Sequence, residues 1–396
     1  MKNKEKLIFM YKDLEVLSFE VDYKKSNITF LEKMEHFDKA PYGMNEKDAK
    51  INMLLFRFFN SRSIPIQRYN YKEIMEATGC KDSFVLSFKG HGLSLSNHYW
   101  FKRKGENLKY SDINFFTNKW DDSFARAILN EDYDALKTCD LNVPDIVTPG
   151  WASKGWIYDN GPKLYKIGII KDHYEDCLGE VLASKLAQRI LNDGEVVKYE
   201  LKKFGDKYAS VSSGMIGINE ELVPLSRVLP RELYDLYHEK HRDKKILEEF
   251  FDKVAEYGMP GLFEFFVKIQ CLRTICFASD LHFDNLSFIR NTETGELRIA
   301  PIYDLAGAFG SSKSGREFVS NITKGSYIII YFIFSGLEPE WDYSWYNPDK
   351  LIGFEDDIKE ILSYSDFYTP ELLEKIIDVY HQQKSSLDEM LNEPKK

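Results

Sequence analysis

The segment Ser279-Asp280-Leu281-His282-Phe283-Asp284-Asn285, followed further on by Ile302-Tyr303-Asp304-Leu305, decides how this chain is read. Asn285 stands five residues after Asp280, and Asp304 nineteen after Asn285. Between them, apolar stretches at 286–289 and 297–302 enclose Thr292-Glu293-Thr294-Gly295, the pattern of a β-hairpin. Two strands of similar length joined by a tight turn bring their outer ends together, so Asp304 returns to the end from which Asn285 departs. An Asp, an Asn and a second Asp gathered in this way are hard oxygen donors of the kind that hold Mg²⁺ against nucleotide phosphates.

The interval from Asp280 to Asn285 is that of the catalytic loop of protein kinases, with Asp304, the second metal ligand, in the place of the Asp of their DFG triplet. His282 occupies the position where many kinases put a Lys that touches the γ-phosphate. An apolar helix expected over 262–278 anchors the loop on one side and the first hairpin strand on the other, which suits catalysis by positioning. Other candidate motifs fail. His241-Arg242-Asp243 has Glu248 where the Asn is required, and it runs into an amphipathic stretch, so it reads as a solvated helix face. His238 and His241 have no third ligand, and no zinc is assigned. Gly150 and Gly155 have the glycine interval of a Walker loop, but Trp156 and Ile157 replace its Lys and Ser/Thr. The segment Gly310-Ser311-Ser312-Lys313-Ser314-Gly315 fails likewise and reads as a mobile, activation-like stretch.

Composition narrows the classes. A chain of 396 residues exceeds one ordinary core, and 43% hydrophobic with 15% aromatic residues is ample for packed interiors. The net charge of −10 and the lack of a basic patch argue against direct nucleic-acid binding. Cys80, Cys139, Cys177, Cys271 and Cys276 form no CxxC pair, and reduced thiols in a cytoplasmic protein fit best. The apolar run at 327–334 is far below the roughly 20 residues that span a bilayer, so no membrane segment is expected and the run reads as a buried strand or helix turn.

Along the chain, alternation over 7–30 places Leu17, Phe19, Val21 and Tyr23 on one strand face. A helix is expected over 49–59, an extended piece over 64–69, and strands over 84–88 and 98–102. Pro144 and Pro149 mark a boundary near 140. A glycine-bearing turn at 149–157 then leads to a strand over 163–170 containing Lys166, an amphipathic helix over 180–191, and strands over 196–204 and 207–211. Helices follow over 232–257, 262–278, 356–362 and 370–391. The expected class is α+β: a protein-kinase-like two-lobed fold, with a β-rich nucleotide-binding lobe at 141–228, a helical lobe at 229–396 carrying the catalytic loop, and an additional N-terminal α+β domain at 1–140. A segment contacting adenine is expected at 215–218, with Met215 foremost.

The pattern Asp-x-His-x-x-Asn-x-Ser with Tyr-Asp-Leu after a hairpin resembles the HipA-like family of bacterial serine/threonine kinases. Thr148-Pro149-Gly150 with Lys154-Gly155-Trp156-Ile157, the Lys166 strand and the helix at Glu180 look like that family's phosphate-binding loop, nucleotide lysine and partner helix. Gly92-Leu93-Ser94-Leu95 with Tyr99-Trp100 looks like an N-terminal element of its Gram-positive members. The resemblance covers roughly residues 85–310. It implies Asp280 as the base on the substrate hydroxyl, Asn285 and Asp304 as Mg²⁺ ligands, and Gly150, Ser153 and Lys154 around the phosphates. It further implies Lys166 on the α- and β-phosphates, positioned by an ion pair with Glu180. Where the family tends to have a Lys before the Asn, this chain has Asp284, a negative charge beside the metal site. The activity so implied is ATP- and Mg²⁺-dependent phosphorylation of a protein Ser or Thr, by a toxin that a cognate antitoxin neutralises. The alternatives are a kinase-like nucleotide-binding scaffold and a small-molecule phosphotransferase.

Overall fold

The computed structural model describes residues 3–41, 43–45, 49–168, 176–229, 244–256, 259, 261–278, 285–305, 307–312, 319 and 342–392. The chain divides into two compact units. The first comprises Met1–Lys166, Ser213–Leu222 and Asn291–Gly295, and the second Ile167–Ser212, Val223–Arg290 and Glu296–Lys396.

The first unit opens with strands β1 (Lys4–Tyr11), β2 (Leu14–Asp22) and β3 (Asn27–Lys33). With β4 (Tyr99–Arg103) they form an antiparallel sheet of order β3-β2-β1-β4. Alternation decides which face is buried: Leu17, Phe19 and Val21 are completely enclosed, while Ser18 and Glu20 between them are not. Helix α1 (Ile51–Asn60) covers that face, and Phe58 and Phe59 meet Phe9 edge-on at ring separations of 5.3 and 5.6 Å. Such aromatic pairs add to the burial of their area.

Helices α2 (Tyr71–Thr78), α3 (Ser83–Ser87), α4 (Tyr110–Ile113), α5 (Ser123–Asn130) and α6 (Tyr133–Leu136) complete this core. Two expectations are corrected here. Residues 84–88 form no strand but lie in and beside helix α3, because the Asp82 side chain accepts from Val85 N at 2.9 Å and caps a helix start. Residues 64–69 are turns rather than an extended piece, with Arg68 N donating to Pro65 O at 2.9 Å. Neighbouring strands β5 (Ser153–Tyr158) and β6 (Pro162–Ile167) follow, and Gly155 lies so close to α5 that a Cβ there would stand 2.8 Å from Ala125 Cβ.

The second unit is built around helix α7 (Asp176–Ile190), against which the antiparallel pair β7 (Tyr199–Phe204) and β8 (Lys207–Ser213) is set. Strand β9 (Glu220–Pro224) runs into the short helix α8 (Leu225–Val228). Helices α9 (Lys244–Glu256) and α10 (Leu262–Ile275) come next, then the hairpin β10 (Ser287–Asn291) and β11 (Leu297–Ile299). Helices α11 (Phe354–Leu362) and α12 (Pro370–Asn392) close the chain. Helix α10 is buried on nearly every side, including Lys268 and Arg273. Lys268 is accommodated because Nζ reaches Glu195 at 2.8 Å and Glu264 at 2.7 Å. The strand expected over 196–204 begins at Tyr199, while Val196 makes an isolated parallel bridge to Ile302. The triplet 241–243, residues 232–243 of the expected long helix and the run at 327–334 lie outside the described residues.

Candidate active site

Asp280 and His282 lie outside the described residues, but both chain ends that enter and leave their loop are described. Helix α10 stops through Phe277 N donating to Thr274 O at 3.3 Å and Ala278 N donating to Arg273 O at 3.1 Å. This double closure needs a left-handed residue at the stop, usually glycine. Here Phe277 takes that conformation, φ 40°, with its ring wholly buried against Phe309 at 5.4 Å.

On the far side of the loop, Asn285 is buried, and its Nδ2 has no hydrogen-bond partner among the described residues. A buried amide donor held this way is costly unless something the described residues do not supply engages it. The hairpin then runs in the register Phe288 opposite Ile299 and Arg290 opposite Leu297, extended by Ala300 N donating to Ser287 O at 2.9 Å. That register sends Asn285 and Ile302 to the same end. The Ser287 and Tyr303 hydroxyls hydrogen-bond there at 2.7 Å.

Asp304 follows at once and is itself left-handed, φ 58°, a conformation that Asp tolerates better than most residues. The chain leading into it is held at Ile302 and at its own amide. Ile302 N donates to Glu195 O at 2.8 Å while Ile302 O accepts from Val197 N at 2.9 Å, and the Asp304 amide faces the Tyr199 hydroxyl at 3.4 Å. Ser184 of α7 locks that strand in turn, donating to Val197 O at 2.8 Å and accepting from Tyr199 N at 3.1 Å.

Glu180, on the same helix, is buried, and its Oε2 accepts from Ser210 Oγ of β8 at 2.5 Å. The residue before it, Gly179, is packed directly against Ala308 and Ser311, downstream of Asp304. Helix α7 is thus brought to the Asp304 segment inside one unit.

In the first unit, Lys166 is buried on β6. Gly150 has φ 106°, and a Cβ added to it would collide with Lys154 Nζ, so the Lys154 side chain folds back over the Gly150 backbone. Ser153 and Lys154, expected in a glycine-bearing turn, are instead the buried first residues of β5. Met215 is half-buried in the connection from β8 to β9. Gly214 N donates to Pro162 O at 3.1 Å and Leu222 N to Ser96 O at 2.8 Å, which ties both ends of that connection.

The side-chain oxygens of Asn285 and Asp304 are donors of the type Mg²⁺ takes when phosphates and water complete its shell. Among the described residues no group of three or more His, Cys, Asp or Glu could hold a metal ion by itself. Sequence reasoning missed Tyr199, the Ser287–Tyr303 pair and Ser210. The bare Ser and Tyr letters carry no spacing signal, and only the fold brings them to their partners.

No protein-family model matches the sequence, and no curated protein matches it. Solved structures do. A HipA from Shewanella oneidensis MR-1, in a toxin-antitoxin complex with HipB and operator DNA, aligns with 98% of this chain and 100% of its own at a TM-score of 0.50 and 10% identity. The proinflammatory kinase CtkA of Helicobacter pylori aligns with 60% of this chain and 90% of its own, at a TM-score of 0.43 and 18% identity.

Proposed function

We propose that this chain, whose α+β fold is that of the HipA-like kinases, is an ATP- and Mg²⁺-dependent protein kinase acting on Ser or Thr. The observation that carries the reading is the β10–β11 hairpin, whose register returns the chain to the Asn285 end and delivers Asp304 there in a constrained conformation. In this reading Asp280 takes the proton of the acceptor hydroxyl as its oxygen bonds to the γ-phosphorus and the bond to the ADP oxygen breaks. Asn285 and Asp304 hold the metal, which neutralises charge on the phosphates. Gly150, Ser153, Lys154 and Lys166 face the phosphates, Glu180 positions Lys166, and Met215 borders the adenine. A protein antitoxin is the expected partner, in line with the HipB of the Shewanella complex.

A second reading, a nucleotide-binding scaffold without transfer, is favoured by one feature: Asp284 adds negative charge beside the proposed metal ligands. Ligand-dependent thermal unfolding tests the shared part of both. ATP with Mg²⁺ is expected to raise the melting temperature of the wild-type protein, and Asp304→Asn, chosen because Asn also tolerates a left-handed backbone and removes the charge, to abolish the Mg²⁺-dependent part of that rise. An identical rise in the variant removes Asp304 from the metal site.

A further inference from the structure

Arg68 lies in a turn of the N-terminal part of the chain, 82 residues from Gly150, and is almost wholly buried. Its Nε donates to Gly150 O at 2.9 Å and its Nη2 to Thr148 O at 2.6 Å. One guanidinium therefore holds two alternate carbonyls of the segment that enters β5. The rigid fork of Arg suits this task, whereas a Lys ammonium lacks the second arm.

The same segment is tied from below. Asp145 Oδ1 accepts from Trp156 N at 2.8 Å, the Trp156 indole donates to Thr148 Oγ1 at 3.1 Å, and Thr148 Oγ1 donates to Pro144 O at 2.8 Å. Asp145 is 2% exposed, and its Oδ2 has no hydrogen-bond partner among the described residues. A buried guanidinium, and a buried carboxyl that desolvation pushes up to about 7, are each retained at a cost that needs a reason. The backbone they hold is the one over which Lys154 folds, at the positive φ of Gly150.

We propose that Arg68 is a positioning residue that sets the 148–154 segment for the nucleotide phosphates, with Asp145 anchoring the same segment through Trp156 N; this rests on the kinase reading above. The N-terminal part of the chain then contributes directly to the geometry of the nucleotide site. Arg68 does not touch the nucleotide; it acts through the carbonyls of Thr148 and Gly150.

The test compares wild type, Arg68→Lys, Arg68→Met and Asp145→Asn as full-length proteins. Amide hydrogen exchange is followed over 148–158, with helix α12 as an internal reference, and KM for ATP and kcat are measured in a labelled-phosphate assay. Arg68→Met is expected to speed exchange over 148–158 alone and to raise KM for ATP on the order of 10-fold to 10²-fold, with a smaller change in kcat. Arg68→Lys, which can still reach one carbonyl, recovers part of both effects. Asp145→Asn keeps the acceptor for Trp156 N and shifts KM in the same direction by less. A folded Arg68→Met variant with unchanged KM, or with unchanged exchange over 148–158, overturns the proposal while leaving the kinase reading intact. Failure of the wild-type protein to bind ATP overturns the kinase reading and this proposal with it.

Discussion

His98 illustrates how single side chains join distant pieces of the first unit. It is fully buried, accepts from the Tyr110 hydroxyl at Nδ1 at 2.5 Å, and donates from Nε2 to Glu220 O at 2.7 Å, just after the connection that carries Met215. Burial pushes its pKa down from 6.5 to about 4, and Lys12 adds to the shift against the opposing pull of the Glu220 carbonyl. Between those values the unfolded chain binds a proton that the folded chain does not. The stability contributed by neutral His98 is therefore complete above about pH 6.5 and is lost as pH falls toward about 4. Urea midpoints measured across that range are expected to fall with acid in the wild type and to fall less in His98→Gln; equal slopes count against the buried neutral ring. Non-glycine residues with positive φ also cluster around the candidate site, at Phe277, Asp304 and Phe309. Strain of this kind costs on the order of 1–3 kcal/mol per residue and persists where the surroundings over-determine it.

At the scale of elements, the contact between α7 and the segment after Asp304 is the most exacting. A Cβ on Gly179 would meet Ala308 O at 2.5 Å and Ser311 Cβ at 2.7 Å. Replacing an interior helical Gly by Ala ordinarily gains about 1 kcal/mol in propensity. Overpacking against a backbone carbonyl costs typically about 1–3 kcal/mol, so the sign reverses here. Gly179→Ala is expected to lower stability, by up to about 2 kcal/mol in denaturant titration, and to weaken phosphate transfer. A neutral or stabilising Gly179→Ala refutes the close packing of α7.

The hairpin and the long helices were legible in the sequence because periodicity over many residues and the Thr292-Glu293-Thr294-Gly295 turn speak for themselves. Helix α3 was not, since the short, mostly apolar run Phe84-Val85-Leu86-Ser87-Phe88 is as compatible with a strand as with a helix turn, and the deciding group was the Asp82 cap. The return of the chain to the Asn285 end was legible through the hairpin; the grip of Arg68 on Gly150 was not, because no local pattern links residues 82 positions apart.

On the scale of the whole molecule, the first unit takes in the N-terminal sheet together with 148–166, 213–222 and 291–295. Lys12 shows this reach: its Nζ hydrogen-bonds Asn219 Oδ1 at 3.3 Å and Thr292 Oγ1 at 3.2 Å. Residues at the chain's beginning thus brace segments that flank the proposed adenine contact and the tip of the β10–β11 hairpin. Among the described residues no helix is long and apolar enough to cross a membrane. In the proposed function this framework serves phosphate transfer, with Asp280 as base. Purified protein incubated with Mg²⁺ and ATP labelled at the γ-phosphate is the direct test, read as label on serine or threonine of the protein itself or of an added substrate. Wild type is expected to transfer label, and Asp280→Ala to lose on the order of 10²-fold to 10⁴-fold in rate. No transfer by wild type across a broad set of protein substrates, or transfer by Asp280→Ala at the wild-type rate, would contradict it.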